Sequence, residues 1–399
     1  MKMDSLATQD SRSIDLINFH FANNYGAVLQ CLALQTFIEK QGGNVHIIDY
    51  RPYYQRQYYI KYPSPFRGAY WKYKREQGMP LLKRIYDALR WFARTIYQYQ
   101  FASNRASIQR AFQPFVHKHL HLTRQYSSLR ALRRNPPNAD IYICGSDQLW
   151  NPNVTFGLDP AYFLDFGVKK TRRYAFSVSP CAALDESIYG KQLAQLLQRF
   201  DAISLREAEK RDLIERLYKQ KVDICMDSTF LLSAQDYEQF EEPLEIQEPY
   251  ILVYAFKESD GNVRMKEVLE TVVAQLNYKV IDISLDNVHW QLNVQRKFAI
   301  TPGQFLSYFK NAYYVVTNSF HGTAFSIIYQ KQFISVTKTG TEQRVTELLE
   351  KLGLCSALIK GDLQPFVLNK LDYTIHKEQR EQLIANSREY LRKLIGVNQ

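Results

Sequence analysis

Residues 315–328 read VVTNSFHGTAFSII, and this run decides the fold. Tyr313, Tyr314, Val315 and Val316 are aromatic or β-branched, the composition of a buried strand. Ala324, Phe325, Ile327 and Ile328 then continue the apolar pattern of a helix, and Thr317, Asn318 and Ser319 carry side chains able to cap its start. Gly322 permits a tight turn or a close ligand approach. A strand handing over to a helix is the unit of an open parallel sheet, which binds ligands at the carboxyl ends of its strands. Ser319, Phe320 and His321 fall there, where helix N–H groups face an anion.

The same alternation extends in both directions. YILVYAF (250–256), a helix over about 263–276, KVIDIS (279–284) and TPGQFLSYFKNA (301–312) precede the run, and QFISV (332–336) follows it. Nearer the amino end, IDLINFHF (14–21), a helix in AVLQCLALQTFIEKQGG (27–43) and VHIIDY (45–50) make a strand–helix–strand unit with a right-handed crossover. Asn24, Tyr25 and Gly26 occupy its strand-to-helix turn. ADIYICGSDQLWNP (139–152), RRYAFSVSP (172–180), DAISLREAEKRDLIERL (201–217) and DICMDSTFLL (223–232) continue the series. The expected fold is α/β, with two doubly wound, Rossmann-like domains facing a cleft. The division reads as 1–180 for an acceptor-binding domain and 181–365 for a donor-binding domain. A helical tail over 366–399 is expected to pack back on the first domain.

At 399 residues and 46% hydrophobic content the chain can build two cores. No apolar run reaches the ~18 residues of a membrane span, and the first residues, MKMDSLATQDSRSIDL, lack an apolar signal core. Five scattered cysteines without C-x-x-C spacing fit reduced thiols in the cytoplasm and argue against zinc; no metal and no cofactor is expected. The net charge of +11 comes from one region. Residues 51–134 hold eighteen Lys/Arg against two acids, Glu76 and Asp87. This Tyr/Arg-rich insertion contains PLLKRIYDALRWFARTIYQYQF (80–101), which reads as a basic amphipathic helix. It either holds the protein to an anionic membrane surface or packs on the first domain with its cations solvated. No nucleic-acid-binding motif accompanies it. His117, His119 and His121 alternate as on a strand and read as surface residues.

Taken in order, NNYGAVLQCLALQ, ICGSDQLWNP, YAFSVSP, SLREAE, CMDSTFLL and NSFHGTAFSIIY resemble the polysaccharide pyruvyl transferase family, from about Ile14 to Leu354. The resemblance implies a two-domain fold similar to GT-B glycosyltransferases. It implies transfer of pyruvate from phosphoenolpyruvate to two sugar hydroxyls as a cyclic ketal, in capsule, exopolysaccharide or cell-wall glycan biosynthesis. The acceptor would be a glycan or a lipid-linked oligosaccharide, met in the cytoplasm or at the inner face of the membrane. The family's Arg-Leu-His triplet here reads Ser319-Phe320-His321, so the histidine carries over and serine stands in the arginine's place. Arg344 is the candidate replacement, and Arg206 of Ser-Leu-Arg-Glu matches a family arginine directly.

The chemistry asks for these residue types. A donor with about three negative charges needs guanidinium forks and helix N-termini. Protonating an enol and deprotonating a hydroxyl needs an acid and a base. His321 is therefore the candidate acid, with Asp147 and Glu207 as base candidates. Arg206, Arg344, Ser319 and Gly322 are assigned to the donor. Asn24, Tyr25, Gly26, Ser146, Gln148 and Trp150 are assigned to the acceptor. Each has a structural counterpart: a core histidine, a solvated Arg206–Glu207 pair, a turn aspartate at 147, packing for Tyr25 and Trp150. The competing functions are a GT-B-type glycosyltransferase using a nucleotide sugar, and a catalytically silent glycan-binding relative.

Overall fold

The computed structural model describes residues 12–52, 78–83, 85–86, 89, 102–181, 183–258, 262–337, 343–359, 368 and 370–396. Two six-stranded sheets account for all the named strands, and every strand pair is parallel. The first holds β1 (Ser13–Ile17), β2 (Asn44–Ile47), β3 (Ile141–Asp147), β4 (Arg172–Val178), β5 (Ala202–Leu205) and β6 (Asp223–Ile224), in the order β2-β1-β3-β4-β5-β6. The second holds β7 (Tyr250–Tyr254), β8 (Lys279–Asp282), β9 (Val294–Arg296), β10 (Tyr314–Thr317), β11 (Gln332–Val336) and β12 (Leu358–Ile359), in the order β12-β11-β10-β7-β8-β9. Strands β7 and β10 are buried along their whole length, as strands covered by helices on both faces must be. The α/β, two-domain reading holds.

The longer helices are α1 (Tyr25–Lys40), α2 (Ala102–His119), α3 (Glu186–Leu197), α4 (Arg211–Tyr218), α5 (Val263–Leu276), α6 (Pro302–Asn311), α7 (Phe320–Ile328), α8 (Gln343–Lys351) and α9 (Lys377–Ile395). Side chains cap them where the sequence offers oxygen acceptors: Asn24 opens α1, Asp185 opens α3, Thr301 opens α6 and Ser319 opens α7.

Several expectations shift. The strand expected over 14–21 leaves the sheet after Ile17, because the Asn18 side-chain amide, instead of a backbone rung, reaches the Gly145 carbonyl. The boundary expected at 180 falls inside the first sheet: Pro180 reads as punctuation, yet α3 returns the chain to β5 and β6. His117 and His119 lie on α2 rather than on a strand, and His121 pairs with Glu39 at 2.8 Å. Of the basic helix expected over 80–101, residues 81–83, 85–86 and 89 are helical, Pro80 is not, and the rest lies outside the described residues.

The two sheets are not separated by solvent throughout. One apolar cluster includes Leu16, Tyr25 and Leu29 from the first half and Leu252, Phe305 and Phe325 from the second. Tyr25 stacks on Phe305 with ring centroids 4.5 Å apart, and its hydroxyl donates to the Ile300 carbonyl at 3.2 Å. Helix α9 also spans both halves. Arg380 donates to the Leu352 carbonyl at 3.0 Å, while Ser387 accepts from Met226 N–H at 2.9 Å and Arg388 donates to the Leu231 carbonyl at 3.0 Å. Within the first sheet Asp15 is buried on β1 between His46 of β2 and Tyr142 of β3. The His46 Nδ1 lies 3.8 Å from its carboxylate, and burial pushes the Asp15 carboxyl up to about 7.

Candidate active site

The carboxyl ends of β3, β4 and β5 meet the start of α7. At the end of β3 the chain turns through two consecutive non-glycine residues with positive φ, Ser146 (41°) and Asp147 (70°). Left-handed backbone at such residues costs energy and marks a position held for a purpose. The turn aims Ser146 Oγ at Asp227 Oδ2, 2.7 Å away. Asp227 follows β6 and accepts from the Thr229 backbone N–H at 3.0 Å and the Thr229 hydroxyl at 2.8 Å. Arg206, directly after β5, donates from Nη1 to Asp227 Oδ2 at 2.7 Å and from Nε to Glu207 Oε1 at 2.6 Å. Its guanidinium lies 4.1 Å from the centroid of the Phe320 ring.

His321 stands on the first turn of α7, with Nε2 3.9 Å from Asp227 Oδ2. Gly26 explains how the ring fits: a Cβ there would lie 2.0 Å from His321 Nδ1, so only glycine lets α1 back onto the imidazole. Gly322 is glycine for a similar reason, since a Cβ would meet Thr317 Oγ1 at 2.2 Å. Ser319 Oγ accepts from the Gly322 N–H at 3.3 Å.

Burial alone would raise Asp227, but the charges of Arg206 and His321 and the bonds from Thr229 and Ser146 outweigh it and hold the carboxyl at about 2. His321 is shifted down, chiefly by burial, with Arg206 and Arg344 adding to the shift and Asp227 and Asp147 opposing it. The imidazole is thus biased toward its neutral form, with Asp227 as the carboxylate nearest its Nε2. Among the described residues, four buried polar atoms here lack hydrogen bonds: Ser179 Oγ, Arg206 Nη2, Glu207 Oε2 and His321 Nε2. Native proteins leave few such atoms unpaired. Arg206, Glu207 and Asp227 also line a small cavity whose opposite wall is Arg344 and Lys351 of α8.

The model for polysaccharide pyruvyl transferases matches residues 24–337, most of the chain. The chain belongs to the polysaccharide pyruvyl transferase family. No curated protein matches it. Among solved structures it is similar in outline to the UDP-GlcNAc 2-epimerase of Methanocaldococcus jannaschii in complex with UDP-GlcNAc and UDP (10% identity, 94% of this chain and 92% of that one, TM-score 0.44). The UDP-GlcNAc 2-epimerase of Neisseria meningitidis bound to UDP-GlcNAc gives 10% identity over 97% and 100% of the two chains, with a TM-score of 0.44. A kitacinnamycin glycotransferase gives 11% identity over 97% and 95%, with a TM-score of 0.40.

In this pyruvyl transferase family member His321, Arg206, Glu207, Ser146, Asp147, Arg344, Ser319, Gly322 and Gly26 gather at one place. Two acceptor assignments, Trp150 and Tyr25, are corrected. Trp150 is wholly buried, stacked on Phe163 at 4.9 Å with its N–H on the Tyr162 carbonyl, and has no face to offer a sugar. Tyr25 is wholly buried between the two halves. Asn24 caps α1 through its bond from Ala27 N–H at 3.1 Å, and Gln148 accepts from Asn151 at 2.8 Å. Asp227 and Ser179 were not singled out from sequence, although both lie in the quoted motifs CMDSTFLL and YAFSVSP. An aspartate just past a strand end, three residues before a buried apolar run, was the available signal.

Proposed function

We propose that the protein transfers pyruvate from phosphoenolpyruvate to two hydroxyls of a sugar as a cyclic ketal, in capsule, exopolysaccharide or cell-wall glycan synthesis. In a family named for pyruvyl transfer, one observation carries this reading: unpartnered Arg206 Nη2 and His321 Nε2 flank an anchored carboxylate at strand ends. Each buried unsatisfied donor costs ~1–3 kcal/mol. A small polyanionic ligand that accepts from both removes that cost.

The reaction balances with the donor, the acceptor and protein groups. A proton from His321 goes to the enol methylene, which becomes the methyl group. The adjoining carbon gains positive character and one sugar hydroxyl attacks it, giving its proton to a carboxylate, Asp147 or Glu207. The carbon–oxygen bond to phosphate breaks and the second hydroxyl closes the ring on that carbon, its proton leaving with the phosphate as hydrogen phosphate. Arg344 and the opening N–H groups of α7 offset the donor's charges. Arg206 is already divided between two carboxylates, so it chiefly holds Asp227 in place and offers the donor one N–H. For the acceptor, a cleft at the end of β1 is lined by His20, Asn23, Arg51 and Gln109, polar groups suited to a sugar. His20 is oriented there by Asp49, 2.9 Å from its Nε2. The reading implies a cytoplasmic reaction.

An entering trianion raises the proton affinity of a neutral imidazole beside it. Donor binding should therefore take up a proton. Titrating phosphoenolpyruvate calorimetrically in two buffers of different ionisation heat should show uptake by the wild type and none by His321→Ala. The same variant should lose ketal formation by ~10²–10⁴-fold while its thermal unfolding stays near wild type. Arg206→Ala is the poorer probe, since it strands two buried carboxylates at ~3–5 kcal/mol. Wild-type protein that binds a nucleotide sugar and ignores phosphoenolpyruvate would overturn the reading.

A further inference from the structure

The segment that begins at Leu81 exposes an apolar face. Leu81, Leu82, Ile85, Tyr86 and Leu89 are between 46% and 81% exposed. The backbone is helical at each of them. At 100° per residue they cover an arc of roughly 140°, while Lys83 falls outside it. Among the described residues, the other exposed large apolar side chains (Val168, Ile188, Phe256, Val263, Tyr313 and Ile375) are scattered along the chain. Isolated exposed apolar residues are ordinary; five on one helical face mark an interaction surface.

The sequence left two readings of this segment, and the exposure separates them. A helix packed on the first domain would bury Leu82, Ile85 and Leu89 and present its cations to water. Here the apolar side chains themselves face outward. The region around them is the most basic in the chain, eighteen Lys/Arg to two acids over residues 51–134. In α2 and just beyond it, Arg110, Lys118, Arg124, Arg130, Arg133 and Arg134 are exposed.

We infer that this segment seats the protein on an anionic lipid bilayer, with Leu81, Leu82, Ile85, Tyr86 and Leu89 entering the headgroup–acyl boundary and Lys and Arg of the same basic stretch of sequence on lipid phosphates. An apolar stripe within a strongly basic stretch of sequence complements an anionic bilayer on both counts, whereas the same stretch of a second copy would meet charge repulsion. Among the described residues no helix is long and apolar enough to cross a membrane, so the contact is peripheral. The inference does not depend on which donor the protein uses.

The test is co-sedimentation of the full chain with vesicles of phosphatidylglycerol and phosphatidylcholine, against phosphatidylcholine alone, at low and high salt. The wild type should pellet with the anionic vesicles at least ~10-fold more than with the neutral ones, and salt should weaken this because surface charges are screened within about 8–10 Å. The double variant Leu82→Glu/Leu89→Glu should lose the pelleting while keeping the wild-type melting temperature. Absence of pelleting by the wild type, or pelleting that the double variant retains, overturns the proposal. So does a wild-type dimer, seen by analytical ultracentrifugation, that the double variant dissociates.

Discussion

His321 illustrates what one residue's identity tells and what only its surroundings add. Its place between a β-branched strand and a capped helix was legible, because strand and helix periodicities meet there. Its lowered proton affinity was not, since that follows chiefly from burial, with Arg206 and Arg344 adding to it against the pull of Asp227 and Asp147. Tyr25 and Trp150 show the converse. A lone sequence displays an aromatic ring near a turn but not the side to which the ring points, and both rings point inward. Asp15 carries a testable consequence of the same physics. Its folded-state carboxyl titrates at about 7, above the ~4 of an unfolded chain. Between those values the folded protein holds a proton that the unfolded chain has lost, so stability falls as pH rises from about 4 to about 7 and stays reduced above. Asp15→Asn, which carries no charge, should melt ~2–4 °C above wild type at pH 8 and close to it at pH 4. Equal differences at both pH values would sink this account.

Elements were more legible than their ends. The apolar patterns locate both runs of alternating strand and helix, but strand ends depend on partners that a single segment does not display. β1 stops at Ile17 because a side chain, Asn18, takes over the next bond. The first sheet continues past Pro180 because helix α3 covers it and returns the chain. The start of α1 matters most for chemistry. Gly26 was assigned to the acceptor from its place in a turn; the structure shows it in the helix, where its missing side chain leaves room for His321. Gly26→Ala should improve local helix propensity by ~1 kcal/mol and still damage the site, because the new Cβ displaces the ring. A misplacement near 1 Å is enough for about a 100-fold loss of turnover. The expected outcome is a melting temperature near wild type with turnover down by about that factor. Wild-type turnover in this variant would show that the ring position does not matter.

On the scale of the whole molecule, the two sheets behave as one folding unit. Residues of both halves share a single apolar cluster, Tyr25 is stacked on Phe305, and α9 bonds to both halves. Calorimetric unfolding should give one transition whose van 't Hoff and calorimetric enthalpies agree; two resolved transitions would refute the shared core. The sequence patterns suggested two domains facing a cleft, and the two sheets are there. What the patterns did not display is the dry seam between them, since apolar residues on α1 and α6 look alike whether they cover their own sheet or the neighbouring one.

That seam also limits modular engineering. The two-sheet layout invites exchange of the first half between relatives, with the second kept as a common part. Here a foreign first half would bring its own residue against Phe305, its own side chain or none against the His321 ring, and its own partners for α9. A productive graft therefore has to cut within the loops that carry His20 and Asn23, and leave α1 from Tyr25 onward matched to α6 and α7.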